Sequence, residues 1–137
     1  LAWRIEQDGA DWKPRELWRN SRVSLFTSSP VLVNGVFVGF AEQRQGHVVG
    51  LDPFTGDLLW QGEPRWGEHA SLIRWGDLLL VFRENGELVV GEVSNDFFRI
   101  LQRLQLGSSG SWTHPAVTED RVFVKDGPRL TMYRLLP

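Results

Sequence analysis

Apolar residues in this chain fall in short runs that glycine, asparagine, aspartate or proline cuts every few positions. SSPVLVNGVFVGF, Ser28 to Phe40, is two such runs broken at Asn34-Gly35, a pair suited to the positive φ angles of a two-residue hairpin turn. Similar stretches return as SLIRWGDLLLVF, Ser71 to Phe82, and as HPAVTEDRVFV, His114 to Val124. Gly35 and Gly76 lie 41 positions apart, Gly86 and Gly127 again 41, and Trp18 and Trp60 lie 42 apart. A shared period of that length marks repeated supersecondary units.

Each unit reads as four short strands. The clearest has them at Pro30 to Val33, Val36 to Phe40, His47 to Asp52 and Asp57 to Gln61, with turns at Asn34-Gly35, Arg44-Gln45-Gly46 and Pro53 to Gly56. The next has Ser71 to Arg74, Asp77 to Phe82, Glu87 to Val93 and Phe97 to Arg103; the last has Ala116 to Thr118, Arg121 to Lys125 and Arg129 to Leu135. Ahead of them, LAWRIE and WKPRELW resemble the third and fourth strands of a further unit. The expected bounds are thus 1–19 for an incomplete blade, 28–62 and 70–104 for full blades, and 113–137 for a three-stranded last blade. Only Phe97 to Leu106 has apolar spacing that would also suit a short helix.

Leu78 to Phe82 and Val122 to Val124 are continuously apolar, where a half-exposed strand would alternate, so both faces of these strands must be covered. Small four-stranded sheets stacked face to face at this period predict a β-propeller. A plain sandwich would bury one face of each sheet and leave the period unexplained. The expected fold class is all-β, a β-propeller fragment of about three four-stranded antiparallel blades. Propellers close with roughly four to eight blades, so the chain cannot close its own ring. The expected partner is therefore the remainder of its own propeller, or a second copy that completes a ring of about six blades.

Composition narrows the function classes. The 137 residues carry fifteen Lys and Arg against seventeen Asp and Glu, a net charge of −2 without long runs of either sign. Nucleic acid is not an expected partner, and neither is insertion into a membrane. There is no cysteine, so thiol chemistry and disulfides are excluded. Seven Trp, eight Phe and fourteen Gly suit packed sheets and tight turns. The chain begins at Leu1 with neither an initiator Met nor a leader, which suggests a removed targeting segment or an excised piece.

The most specific segment is GLDPFTGDLLW, Gly50 to Trp60. Asp52 and Thr55 can bond back to the turn backbone, Gly56 can take a positive φ, and Trp60 is left free to reach the next sheet, where a backbone carbonyl would accept its N–H. Here the chain resembles the pyrroloquinoline-quinone-like (PQQ-like) propeller repeat, whose docking pattern is Ala-x-Asp-x-x-x-Gly followed four residues later by Trp. Gly50, Asp52, Gly56 and Trp60 match it, with Gly50 in place of Ala, and the following unit has Val93, Phe97 and Leu101 where Asp, Gly and Trp would stand. The resemblance implies the C-terminal part of a longer propeller in the periplasm or outside the cell. Quinone-binding members of the family are dehydrogenases that hold calcium through several oxygens and often carry a vicinal cysteine pair. Others are scaffolds, including a periplasmic lipoprotein that assists outer-membrane barrel assembly. Without cysteine, and without acidic or amide residues at calcium-ligand spacing, the expectation is a non-catalytic binding or scaffolding module for a protein, peptide or small ligand, with no cofactor and no resident metal. A fragment of a quinoprotein dehydrogenase, using PQQ with calcium, is the alternative.

Candidate binding residues sit on loops that lead into the innermost strands, 20–29, 62–70 and 106–114. Two of these bring a Trp and then a His to the strand mouth, Trp66 with His69 and Trp112 with His114. With Glu68, the histidines offer donors suited to zinc or copper, but the set lacks a further ligand, which favours hydrogen bonding to neighbouring loops. For each Trp the expected role is a packing plug between blades rather than a stacking platform. Arg44, Arg83 and Lys125 follow second strands at equivalent positions and would attract an anion or acidic peptide, were Glu42 and Glu84 not beside the arginines. The run Ser108-Ser109-Gly110-Ser111 has neither a nucleophile elbow nor the Lys of a phosphate loop, so no catalytic residue is assigned.

Overall fold

Turn chemistry sets the element order in the computed structural model, which describes residues 1–25, 27–108 and 112–135. The Ser109-Gly110-Ser111 run and the last two residues of the 113–137 unit lie outside the described residues. All the sheets are antiparallel. The first pairs β1 (Ala2–Asp8) with β2 (Asp11–Trp18). A four-stranded sheet follows in the order β3 (Val31–Val33), β4 (Val36–Ala41), β5 (His47–Leu51) and β6 (Leu58–Gln61), with a 3-10 turn at Gln43–Gln45 between β4 and β5. The next is β7 (Ala70–Trp75), β8 (Leu78–Arg83), β9 (Glu87–Val93) and β10 (Phe98–Gln105). The last is β11 (Ala116–Val117), β12 (Arg121–Asp126) and β13 (Arg129–Arg134). Asn34 and Gly35, at φ 49° and 81°, close the β3–β4 hairpin with both central residues left-handed, as a type I′ turn requires.

The uninterrupted apolar runs are explained by two separate cores. Leu79 and Val81 point to one side of the β7–β10 sheet and join Val33, Val36, Val38, Phe40 and Val48 of the preceding sheet. Leu80 and Phe82 point to the other side and join Val122 and Val124 of the following sheet. All four β8 residues are 1% exposed or less. Burying such a side chain on either face is worth roughly 1.5–3 kcal/mol, so this sheet draws stability from both neighbours.

The stretch with helix-like spacing is strand β10. Ile100 pairs with Gly91 and Gln102 with Val90, so Leu101 is the extra residue of a bulge. Before it, Phe98 and Ile100 pack on the first core; after it, Leu104 packs on the second. The bulge flips the alternation, which turns a period of two into a mixture of spacings that imitates a helical stripe.

Indoles tie the sheets together. Trp60 Nε1 donates to Ser94 O at 2.8 Å in the next sheet, and Trp18 Nε1 donates in the same way to Pro53 O at 2.9 Å. Glycine makes room for both rings. A Cβ on Gly50 would lie 2.2 Å from Trp60, and one on Gly56, which also holds φ 76°, would lie 2.2 Å from Trp18. The docking turn closes as its residues suggest, with the Asp52 carboxylate accepting from Phe54 N and Thr55 N. Beyond the second full sheet no such Trp exists, and Leu101 is 46% exposed. The tie is made instead at the inner turns, where Trp75 Nε1 donates to Glu119 O at 2.8 Å, much as Asn34 Nδ2 donates to Asp77 O at 2.9 Å one interface earlier.

Trp60→Phe removes part of the buried ring stacked on Phe98 and orphans Ser94 O, and is expected to cost about 1–3 kcal/mol in urea unfolding at unchanged m value. Gly56→Ala is expected to cost about 1–3 kcal/mol through its strained φ and the collision with Trp18. Leu101→Ala, at the same repeat position as Trp60, should stay within about 0.5 kcal/mol of the parent.

Candidate functional site

Three backbone bonds strap the β4–β5 turn to the loop leading into β7. Arg65 N donates to Arg44 O at 3.2 Å, Trp66 N to Gly46 O at 3.0 Å and Gly67 N to Gln45 O at 3.1 Å. Arg44 and Gln45 accept this because both hold left-handed backbone, φ 57° and 64°. On the other side of the same loop, the Glu84 carboxylate accepts from Glu68 N at 3.2 Å and His69 N at 3.1 Å. The loop is thus fixed by its main chain, which leaves its side chains available.

His69 is buried at the start of this sheet's innermost strand. Its Nδ1 shares a 2.9 Å hydrogen bond with Thr27 Oγ1, from the loop leading into β3. Its Nε2 has no hydrogen-bond partner among the described residues. Trp112, from the loop leading into β11, stacks on the imidazole with ring centroids 5.0 Å apart and planes 3° from parallel. A cavity of about 550 Å³ opens at this point, lined by Thr27, Glu42, Gln45, Gly67, Glu68 and Trp112. A second, polar depression of about 470 Å³ runs over 19–22 and 55–58; it includes Gly56 of the docking motif but none of the candidate binding residues.

Of the residues chosen from sequence, Glu68, His69 and Trp112 meet here, with His114 close enough to act electrostatically on His69. Trp66 does not join them. It is 3% exposed, packs edge-on to Phe98 at 6.2 Å, and is capped by the guanidinium groups of Arg83 and Arg103 at 5.3 and 5.1 Å from the ring centroid. Arg83 is further held by an ion pair to Glu87 and a bond to Trp66 O, so Glu87 rather than Glu84 balances its charge. Arg44 donates to Gln61 Oε1 at 3.0 Å. The main-chain carbonyl of Lys125 receives the Thr113 hydroxyl. Among the described residues no group of three or more His, Cys, Asp or Glu side chains converges as a metal centre requires, and Glu68, His69 and His114 do not form one.

Sequence reading did not pick out Thr27, Gln45 or the direct role of Glu42. Thr27 carried a usable signal, since it precedes His69 by 42 positions and so occupies the matching strand mouth. Glu42 precedes, and Gln45 belongs to, the turn expected at Arg44-Gln45-Gly46; its position was legible, but not that the non-glycine residues Arg44 and Gln45 would be left-handed and aim the turn at the cavity.

No protein-family model matches the chain, and no curated protein matches it. Solved structures do match. The crystal structure of BamB from Moraxella catarrhalis aligns with a TM-score of 0.58 at 17% sequence identity, covering 81% of this chain and 34% of that one. The chain is a β-propeller fragment. It spans about a third of the length of the BamB chain. The sheets described above are accordingly blades, and the cavity lies where the loops of three successive blades meet.

Burial sets the protonation of the two inner histidines. Desolvation pushes the proton affinity of His69 below the ordinary histidine value of 6.5, opposed by the Glu84 carboxylate and assisted by His114. His47, whose Nδ1–H donates to Gln43 O at 2.8 Å, is lowered chiefly by burial as well, with its bond to Gln43 opposing and Arg44 assisting. In the unfolded chain both bind protons more readily, so folding is disfavoured as pH drops. Stability is expected to be complete above pH 6.5 and to fall below it. Thermal unfolding across that range checks this, and the paired substitution of His47→Gln with His69→Gln should flatten the slope.

Proposed function

We propose that this propeller fragment is a non-catalytic binding module of the PQQ-like repeat kind, which offers the mouth formed by Thr27, Glu68 and Trp112 to a protein or peptide. One observation carries the reading. The loop leading into β7, fixed by main-chain bonds and by Glu84, meets Thr27 and Trp112 from the loops of the neighbouring blades around a cavity, and the described side chains there form no catalytic constellation. Among the described residues the Thr27–His69 bond has no third group on Nε2 to orient the imidazole as a base. Rigid blades with functional loops at their ends are a common basis for recognition.

The quinoprotein alternative needs several oxygens converging on calcium. The described residues do not assemble three such acidic or His ligands, and no step through a quinone is derived. The proposed setting is the periplasm or the cell exterior, on the strength of the docking motif. No helix among the described residues is long and apolar enough to cross a membrane. The partner also includes whatever completes the ring, either the rest of a longer propeller or a second copy. Support comes from the two ends of the stack, where Trp3, Ile5 and Trp12 at one end and Leu130 and Met132 at the other are 50% exposed or more. Light scattering should find the isolated chain associated, and a well-folded monomer would remove that part of the proposal.

Panning a random peptide display library against the protein tests the binding role. Enriched peptides should compete with one another and lose about tenfold in affinity on Trp112→Ala, with the melting temperature unchanged. No enrichment, or peptides indifferent to that substitution, overturns the reading. Addition of PQQ with calcium should produce no change in quinone absorbance.

A further inference from the structure

The charge of the cavity lining is one-sided. Glu42 and Glu68 face it, and among the described residues no Lys, Arg or His lines it. Elsewhere in the described residues carboxylates are commonly compensated, as Glu63 and Glu87 are by Arg103 and Glu92 is by Arg99. Glu42 and Glu68 enter no ion pair among the described residues. Nor does either side chain take part in a hydrogen bond there, although each lies on a loop whose main chain is fixed. Among the described residues the cavity therefore carries two carboxylates without an ionic partner, on a turn and a loop whose main chains are bonded together.

An aromatic wall completes it. Trp112 is 57% exposed and lines the cavity, while one face of its indole is occupied by the parallel ring of His69. His69 is itself held by Thr27. The indole is thus braced from behind, and its remaining surface is presented to the opening. A π face beside carboxylates attracts a cation doubly, through the ring quadrupole and through charge.

We infer that the cavity takes an organic cation borne on a polypeptide, the ammonium of lysine or the guanidinium of arginine. This rests on the binding-module reading and names the chemistry that the module recognises. An anion would meet two carboxylates. A neutral apolar side chain would strip water from both of them and return no partner. A metal ion would lack a third protein ligand among the described residues. A cation on a flexible aliphatic stem satisfies both kinds of wall at once, since the stem covers the apolar lining while the head meets Glu42 and Glu68.

The test uses the whole chain and blocked tripeptides Gly-Lys-Gly, Gly-Arg-Gly and Gly-norleucine-Gly, with a free diamine as a fourth probe. The readout is the indole N–H resonance of Trp112, assigned by its loss in Trp112→Phe. Lysine and arginine peptides should shift it saturably and more weakly as salt rises, and the norleucine peptide should not. The paired substitution Glu42→Gln with Glu68→Gln, both at exposed positions, should weaken binding at least about tenfold without lowering the melting temperature. Equal binding of the norleucine peptide, or undiminished binding by the paired variant, overturns the inference. Tighter binding of the diamine than of either cationic peptide overturns the polypeptide source. If no cationic peptide shifts Trp112 while display-selected peptides still depend on that residue, this inference fails and the module reading stands; if both are lost, both fail.

Discussion

A pleated sheet with large apolar side chains on both faces can persist in water only between two neighbours, and the β7–β10 sheet is such an object. Leu79 and Val81 are spent on one side and Leu80 and Phe82 on the other. Neither core would survive alone, because each sheet contributes only half of it. Everything else in the molecule follows from keeping these layers in register: the docking turn, the bridging indoles, the inner-turn bonds, and the loops that stack at one mouth because the strands beneath them do.

That constraint makes the architecture readable from the letters. The 41- and 42-residue intervals and the runs without alternation both pointed to stacked, doubly covered sheets, and the all-β propeller fragment agrees. Where the letters left a strand open to a second reading, a local irregularity was responsible. The bulge at Leu101 shifts side-chain parity within one strand, and periodicity assumes that parity is constant. The final interface was similarly hidden, because its tie moves from a fourth strand to Trp75 near the inner turn, where no motif led one to look.

The candidate mouth was legible only in part. His69 and Trp112 drew notice because each precedes an innermost strand, but their stacking depends on how far two separate loops reach, which spacing along the chain does not encode. Trp66, noticed for the same reason, folds inward instead. Two guanidinium groups over its ring and a core beneath it give that indole more to gain inside than at the rim. Glu42 and Glu84 look alike in sequence, 42 residues apart beside arginines, yet one faces the cavity and the other serves main-chain N–H groups.

The inner-turn bonds have a consequence for kinship. At one interface the donor is the amide of Asn34, and at the next it is the indole of Trp75; in each case a carbonyl on the facing turn receives it. What persists from blade to blade is the point in space where an N–H donor meets a carbonyl, and two side chains with no chemical likeness supply that donor. Adjacent repeats built this way share few letters even within a single polypeptide. That is reason enough for a shape comparison to find a like fold at 17% identity where comparison by letters finds none.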